Sequence, residues 1–135
     1  EKNWGAWTLD FRPDFTAAES GLDSFINWNK DFIGKEASLI EKKQGVKKKL
    51  VTMTIDTKDI DVTNDEAILK DNKCVGYITS GGYAHYVKKS MALGYVPEEL
   101  SKHETTLDVE INGKLYSAHV TDKPLYDANG EKMRV

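Results

Sequence analysis

The feature that most restricts the fold of this 135-residue sequence is a pair of alternating segments joined by Asn112-Gly113. Asn-Gly favours a type I′ turn, whose twist matches that of an antiparallel pair. This turn fixes the register of residues 105–111 against 114–121 and pairs Leu107 with Ala118. The opposite face then carries the polar side chains of Thr106, Asp108, Glu110, Ser117 and His119. A hairpin with one buried and one wet face is predicted.

Other segments of the sequence also show the alternation and the turn residues that are typical of short strands. Residues 51–55 alternate between apolar side chains and threonine, which is typical of a half-buried strand. Residues 67–70 and 73–78 flank Asp71-Asn72, a two-residue hairpin signal. That hairpin would pair Cys74 with Leu69, and we expect Cys74 to be a small buried hydrophobe rather than a nucleophile. Several short strands with no helical period between them predict a small antiparallel barrel or sandwich.

Residues 1–45 have a different character and are rich in aromatic side chains. Thr16 and Glu19 have capping-box spacing, which predicts a short helix ending at Gly21. Residues 22–28 are predicted to form a strand, and residues 35–44 a helix. The region contains Trp4, Trp7 and Trp28. Tryptophan side chains are more often part of a protein core than of a ligand-binding surface. The predicted fold class is mainly β with short helices (α+β).

Charge and composition exclude several functions. A net charge of −3 gives the whole molecule no attraction for nucleic acid. No apolar run approaches the roughly 20 residues that cross a bilayer, and no secretory signal is visible. The single cysteine and the spacing of the histidines do not support a metal site. The sequence starts at Glu1 without methionine, so we expect a processed product or an excised domain.

A central stretch, residues 75–97, places a glycine-centred loop between two apolar runs. Ser80-Gly81-Gly82 lacks the lysine spacing of a phosphate loop and the spacing of a dinucleotide-binding turn. A sharp barrel corner explains the glycines better. His85 is the histidine best placed to touch a ligand. Lys88 and Lys89 could bind an anionic tail, although paired lysines at the start of a strand are usually solvated.

Six segments carry a family resemblance. They are residues 1–2 with Trp7, 15–22, 30–37, 76–83, 89–97 and 124–127. In this order they resemble the C-terminal third of the folate-dependent aminomethyltransferase family, which includes the glycine cleavage T-protein and the folate domains of dimethylglycine and sarcosine dehydrogenases. Tyr83-Ala84-His85 is similar to the dehydrogenase branch. Lys88 stands where that branch usually has glycine.

The resemblance implies a division of the chain and a function. Residues 1–45 would be the C-terminal end of a folate-binding α+β region, and residues 46–135 a C-terminal β-barrel domain. Family members transfer a one-carbon unit to tetrahydrofolate, and their catalytic aspartate lies N-terminal to this segment. The chain alone is therefore expected to be inert and to have no catalytic residue. FAD is implied only for a further N-terminal domain of the dehydrogenase branch.

Three alternatives follow for the longer protein. It is expected to be a dimethylglycine or sarcosine dehydrogenase-like protein, a glycine cleavage T-protein, or a non-catalytic barrel that binds folate or docks another protein. The expected partners are folate and the protein's own N-terminal domains, with no nucleic acid or membrane. The expected location is the cytoplasm, or the mitochondrial matrix in a eukaryote.

The resemblance also implies which residues touch folate. Glu1 matches a glutamate that holds the pterin, whose adjacent N–H donors suit an ionised carboxylate. Trp7 matches an aromatic residue near the pterin, and Lys30 falls near a basic position often occupied by arginine. Tyr83 and His85 would line the site, and Arg134 would face the folate tail. The full set of predicted folate-binding residues is Glu1, Trp7, Lys30, Tyr83, His85 and Arg134.

Overall fold

Six antiparallel strands close into a barrel in the computed structural model of the chain, which describes residues 1–134. The strands are β1 (Lys48–Ile55), β2 (Ala67–Lys70), β3 (Lys73–Ala84), β4 (Lys89–Pro97), β5 (Thr106–Ile111) and β6 (Lys114–Thr121). Their order around the barrel is β1-β4-β3-β2-β5-β6, and β6 pairs back with β1. Of the two predicted architectures, the barrel is confirmed. Within residues 1–134, no helix is both long and apolar enough to cross a membrane.

Both predicted hairpins form. Asn112 and Gly113 adopt φ values of 49° and 75°, as a type I′ turn requires, and Leu107 pairs with Ala118. In the other hairpin Leu69 pairs with Cys74, as predicted. The predicted burial of Cys74 is wrong, however, because its side chain is exposed. The buried residue of β2 is Ile68, so its neighbour Leu69, and Cys74 opposite it, lie on the outer face.

Packing in the barrel interior explains one of the two glycines of the central stretch, Gly81. The predicted glycine loop is wrong, because β3 runs without interruption through Gly81 and Gly82, and the chain turns only at residues 85–88. A Cβ at Gly81 would lie 2.7 Å from Val62 Cγ1, so a side chain there would collide with a fully buried residue. The β3–β4 register shifts between Ile78 and Ser80. Glycine is therefore needed for close packing inside a strand.

The N-terminal region is partly as predicted. Helix α1 covers Lys35–Gln44, as predicted. The capping box of Thr16 and Glu19 is present, with both reciprocal hydrogen bonds at 3.0 and 3.1 Å, but it begins a single turn rather than a helix. The predicted strand at residues 22–28 is wrong, because the chain forms a 3₁₀ turn at Asp23–Phe25. A closed barrel leaves no free strand edge that such a segment could join.

A buried polar network fixes the N-terminal region to the outside of the barrel. The Tyr95 hydroxyl of β4 donates to the Asp10 carbonyl oxygen at 2.9 Å and lies 2.7 Å from Ser20 Oγ. Its ring stacks on Phe15, with centroids 3.5 Å apart. Burial raises the pKa of the Tyr95 phenol above its ordinary value. Tyr95 thus joins three points of the N-terminal segment to one strand.

Asp10 makes a second connection to the barrel. Its side chain is almost completely buried, and its carboxylate accepts hydrogen bonds from Thr79 Oγ1 and Ser80 Oγ of β3. The other carboxylate oxygen accepts from the Ala6 amide at 2.7 Å. A buried carboxylate is tolerable only when such donors replace its water. The segment therefore has a defined position over β3 and β4, and this position creates the cavity described next.

Candidate functional site

A cavity of about 450 Å³ lies between the N-terminal segment and the β3–β4 hairpin. Three of the predicted folate-binding residues, Glu1, Tyr83 and His85, line it. Trp4 also lines it, and the remaining lining comes from the glycine segment of β3 and from Met91 and Leu93 of β4. Residues from opposite ends of the sequence therefore meet at one place.

Glu1 is fixed at the rim of this cavity by the turn between β3 and β4. Its Oε1 accepts hydrogen bonds from the Tyr86 and Val87 amides at 2.7 and 3.3 Å. The Glu1 carbonyl oxygen accepts from the Tyr126 amide at 3.2 Å. Among the described residues, no group donates to Glu1 Oε2. One oxygen is thus anchored, while the other keeps its full capacity as an acceptor.

The walls of the cavity are aromatic. The rings of Tyr83 and His85 meet edge to face, with centroids 5.1 Å apart. Trp4 is 72% exposed, and Lys2 Nζ lies 5.8 Å from its ring centroid. The suggestion that Trp4 belongs to a core is wrong, since so exposed an indole has its face open to a ligand or another protein.

Trp7, Lys30 and Arg134 do not line this cavity. Trp7 is 78% exposed, forms a bridge with Phe11, and borders a separate shallow depression beside Phe15. Lys30 is exposed after the Asp23–Phe25 turn, and Arg134 is exposed after a 3₁₀ turn at Glu131–Met133. Their contacts with folate stay predictions. Trp4 was missed, although it stands only three residues from Glu1 in the sequence.

A clamp between the two ends of the sequence holds Glu1 in place, and sequence reasoning did not assign it. Lys2 Nζ lies 2.5 Å from Asp127 Oδ2, and this hydrogen bond lowers the pKa of the Asp127 carboxyl below its ordinary value. Lys132 Nζ donates to the Tyr86 hydroxyl at 3.3 Å and lies 4.9 Å from the ring centroid of Tyr126. Residues 124–127, one of the segments that carry the family resemblance, were the sequence signal for this contact between the two ends.

The hydrogen bond to Tyr86, with a further contribution from Tyr126, raises the pKa of Lys132 above its ordinary value. Lys132 therefore stays charged against two tyrosine rings that themselves lie 4.2 Å apart. Such a cation over aromatic faces stabilises the packing of the C-terminal segment on the β3–β4 turn. The same turn supplies the amides that bind Glu1, so the clamp and the cavity share one element.

The cavity combines one carboxylate with aromatic walls. Its titratable side chains are Glu1, Tyr83 and His85, and no pair of carboxylates faces it. Among residues 1–134, no group of three potential metal ligands is found. A carboxylate acceptor next to aromatic walls can bind a flat heterocycle that carries N–H donors.

Comparison with known proteins assigns the chain to a family. Residues 48–127 match the glycine cleavage T-protein C-terminal barrel domain. The chain belongs to this barrel family. The family resemblance seen in the sequence is thereby confirmed.

The barrel-family relatives are much longer than this chain. It is 41% identical over 127 residues to the mitochondrial dimethylglycine dehydrogenase of Homo sapiens, covering 93% of this chain and 15% of that protein. It is 38% identical over 119 residues to an aminomethyltransferase of Desulfitobacterium hafniense, covering 87% of this chain and 32% of that one.

A solved structure has the same fold. The glycine cleavage system aminomethyltransferase T from Bartonella henselae superposes with a TM-score of 0.79, at 24% identity. The matched part covers 89% of this chain and 34% of that one.

Proposed function

We propose that this chain is the C-terminal part of a tetrahydrofolate-dependent one-carbon transferase of the dimethylglycine or sarcosine dehydrogenase type, and that Glu1 binds the pterin. The proposal rests on one observation: the two oxygens of the Glu1 carboxylate have different surroundings. Oε1 is held by the Tyr86 and Val87 amides, and Oε2 keeps two lone pairs for the adjacent N–H donors of a pterin ring. Charge-assisted hydrogen bonds of this kind are among the stronger ones in proteins.

The cavity fits such a ring in size and chemistry. Its volume of about 450 Å³ falls within the roughly 300–1,000 Å³ common for small-molecule sites. Trp4 and Tyr83 supply aromatic surface for stacking. His85 and Tyr83 supply polar edges that can bond the ring substituents. No residue of this chain is assigned to FAD, which would belong to another part of a dehydrogenase-like protein.

The reaction itself is proposed to need the rest of the longer protein. Large apolar side chains of the N-terminal region are exposed, with Phe25 at 83% and Ile33 fully accessible. The same region also exposes Trp4, Trp7, Leu9, Leu39 and Ile40, and a concentration of exposed apolar side chains is typical of surfaces that contact other protein. We propose that the N-terminal domains of the parent protein cover them and supply the catalytic aspartate. Kinship with a mitochondrial enzyme supports the mitochondrial matrix as the location in a eukaryote.

Calorimetry with tetrahydrofolate on the full-length protein tests the pterin contact. Glu1→Ala is expected to weaken binding about 10- to 100-fold, since a hydrogen bond to a charged group contributes about 1.5–3 kcal/mol. Glu110→Ala is the matched control, because Glu110 is an exposed carboxylate on the polar face of β5 and should leave the affinity unchanged. Equal affinity of Glu1→Ala and wild type would refute the pterin contact.

The aminomethyltransferase relatives at 38% identity favour a second candidate, a glycine cleavage T-protein. In that case the one-carbon donor is an aminomethyl-lipoyl carrier rather than an iminium made by flavin oxidation. Flavin absorption in the purified full-length protein would support the dehydrogenase type, and transfer from the lipoyl carrier without flavin would support the T-protein. Folate binding without either transfer would support a non-catalytic barrel. Turnover by residues 1–135 alone would contradict all of these assignments.

A further inference from the structure

The end of the barrel beside the β3–β4 turn contains a buried hydroxyl with no partner. Ser90 of β4 pairs with Ile55 of β1 on one side and with Tyr83 of β3 on the other. Ile55 belongs to the barrel core, so Ser90 and its two neighbours across the ladder share the interior face. Ser90 is 3% exposed, and within the described residues its Oγ has no hydrogen-bond partner.

An unsatisfied buried hydroxyl is unfavourable by about 1–3 kcal/mol. Such a group in a native structure calls for an explanation, and an unseen ligand or water is the usual one. Ser90 lines a cavity of about 330 Å³, which has room for several non-hydrogen atoms. Ser90 therefore borders a cavity large enough for a small ligand.

The charge around this cavity is positive. Lys58, Lys88 and Lys89 line it, and in the part of the chain that the structure describes none of them lies within 4.0 Å of a carboxylate. Asp56 is the acidic residue of the lining, and its Oδ2 lies 3.1 Å from His119 Nε2. Three cations thus face one carboxylate that already has a partner.

We propose that this cavity binds a small oxyanion, a carboxylate or a phosphate group, which accepts a hydrogen bond from Ser90 Oγ and is neutralised by the three lysines. The lysines provide attraction, and the hydroxyl fixes the position of the anion. Tyr83 lines both this cavity and the one at Glu1. The oxyanion site is otherwise built from different residues, at the start of β4 and the end of β1.

The competing explanation is that a water molecule satisfies Ser90 and that the exposed lysines are simply solvated. The two explanations differ in the effect of Ser90→Ala. If only water is present, the substitution changes no anion affinity. If an oxyanion binds, its affinity falls about tenfold for each 1.4 kcal/mol of hydrogen bonding removed.

The test is an NMR titration of the 135-residue chain at low salt, once with inorganic phosphate and once with glutarate. Saturable shifts of the Lys89 and Ser90 amides, with a dissociation constant tighter than about 10 mM, are expected for at least one anion. A response to one anion identifies its class, and a response to both supports their shared chemistry. Binding should weaken as ionic strength rises.

Variants complete the experiment. Ser90→Ala should weaken the anion about tenfold with a well-dispersed spectrum and undiminished stability, and Lys88→Ala with Lys89→Ala should abolish the shifts. Lys114→Ala, an exposed lysine at the distant β5–β6 turn, should leave them unchanged. The proposal is overturned if neither anion saturates, or if Ser90→Ala binds as tightly as wild type.

Discussion

The substitution Tyr95→Phe measures how strongly the N-terminal segment is held to the barrel. Tyr95 is only 1% exposed. Its hydroxyl makes hydrogen bonds with the Asp10 carbonyl oxygen and with Ser20 Oγ. Phenylalanine keeps the stacking on Phe15 and removes only these two hydrogen bonds. The decrease in the free energy of unfolding therefore reports the loss of the two hydrogen bonds, because the packing changes little.

The expected loss follows from those two contacts. Loss of a neutral intramolecular hydrogen bond removes about 1 kcal/mol of stability, and roughly 2 kcal/mol where the partner is left buried and unsatisfied. Two bonds with two buried partners give about 2–4 kcal/mol in the free energy of unfolding. With a urea m-value of about 1–3 kcal/mol/M, the midpoint of unfolding should fall by about 1–2 M.

Tyr77→Phe is the matched control for this measurement. Tyr77 stands opposite Tyr95 in the β3–β4 ladder and is only half-buried, and no side-chain hydrogen bond of its hydroxyl is found in residues 1–134. Its loss should change the free energy of unfolding by less than about 0.5 kcal/mol. If Tyr95→Phe proved as mild as this control, the tether described for the N-terminal segment would be refuted.

Three further substitutions test other contacts, each followed by urea unfolding. Gly76→Ala would place a Cβ 1.9 Å from the Tyr95 carbonyl oxygen and should lower the free energy of unfolding by about 3 kcal/mol or more; a loss below 1 kcal/mol, roughly that of a mild surface change, would contradict the close approach. Gly113→Ala forces a side chain into φ 75° and should be unfavourable by about 1–2 kcal/mol, with no effect expected only if the turn is not type I′. The Asp127 carboxyl has a pKa below its ordinary 3.8 because Lys2 donates to it, so the stabilisation from this pair is complete above that value and lost as the pH falls below it. Asp127→Asn should remove this acid-side dependence, and an unchanged pH profile would argue against the pair.

Local rules were sufficient for most of the barrel. Asn112-Gly113 and Asp71-Asn72 each require residues with positive φ, and alternation then decides which face is buried. Helix α1 likewise follows from apolar spacing and a terminal Gly45. These signals lie within a few residues of each other, so a sequence displays them directly.

The rest depended on contacts between distant residues. Asp10 bonds Thr79 and Ser80 of β3, and nothing near Asp10 in the sequence marks it as buried. Gly81 was interpreted as part of a loop because its partner Val62 comes from a separate connection. For the candidate site, Glu1, Tyr83 and His85 line one cavity, as expected, whereas the position of Trp4 beside them depends on the path of the N-terminal segment.

The order of strands around the barrel also determines when it can form. β1 pairs with residues 90–97 on one edge and with residues 118–121 on the other, so its second edge stays open until residues 118–121 have been synthesised. Contacts between residues so far apart make folding slow, and an unpaired edge can recruit other chains in the meantime. The barrel therefore cannot close before β6 is available, and a chain ending before residue 118 would keep two strand edges open to aggregation.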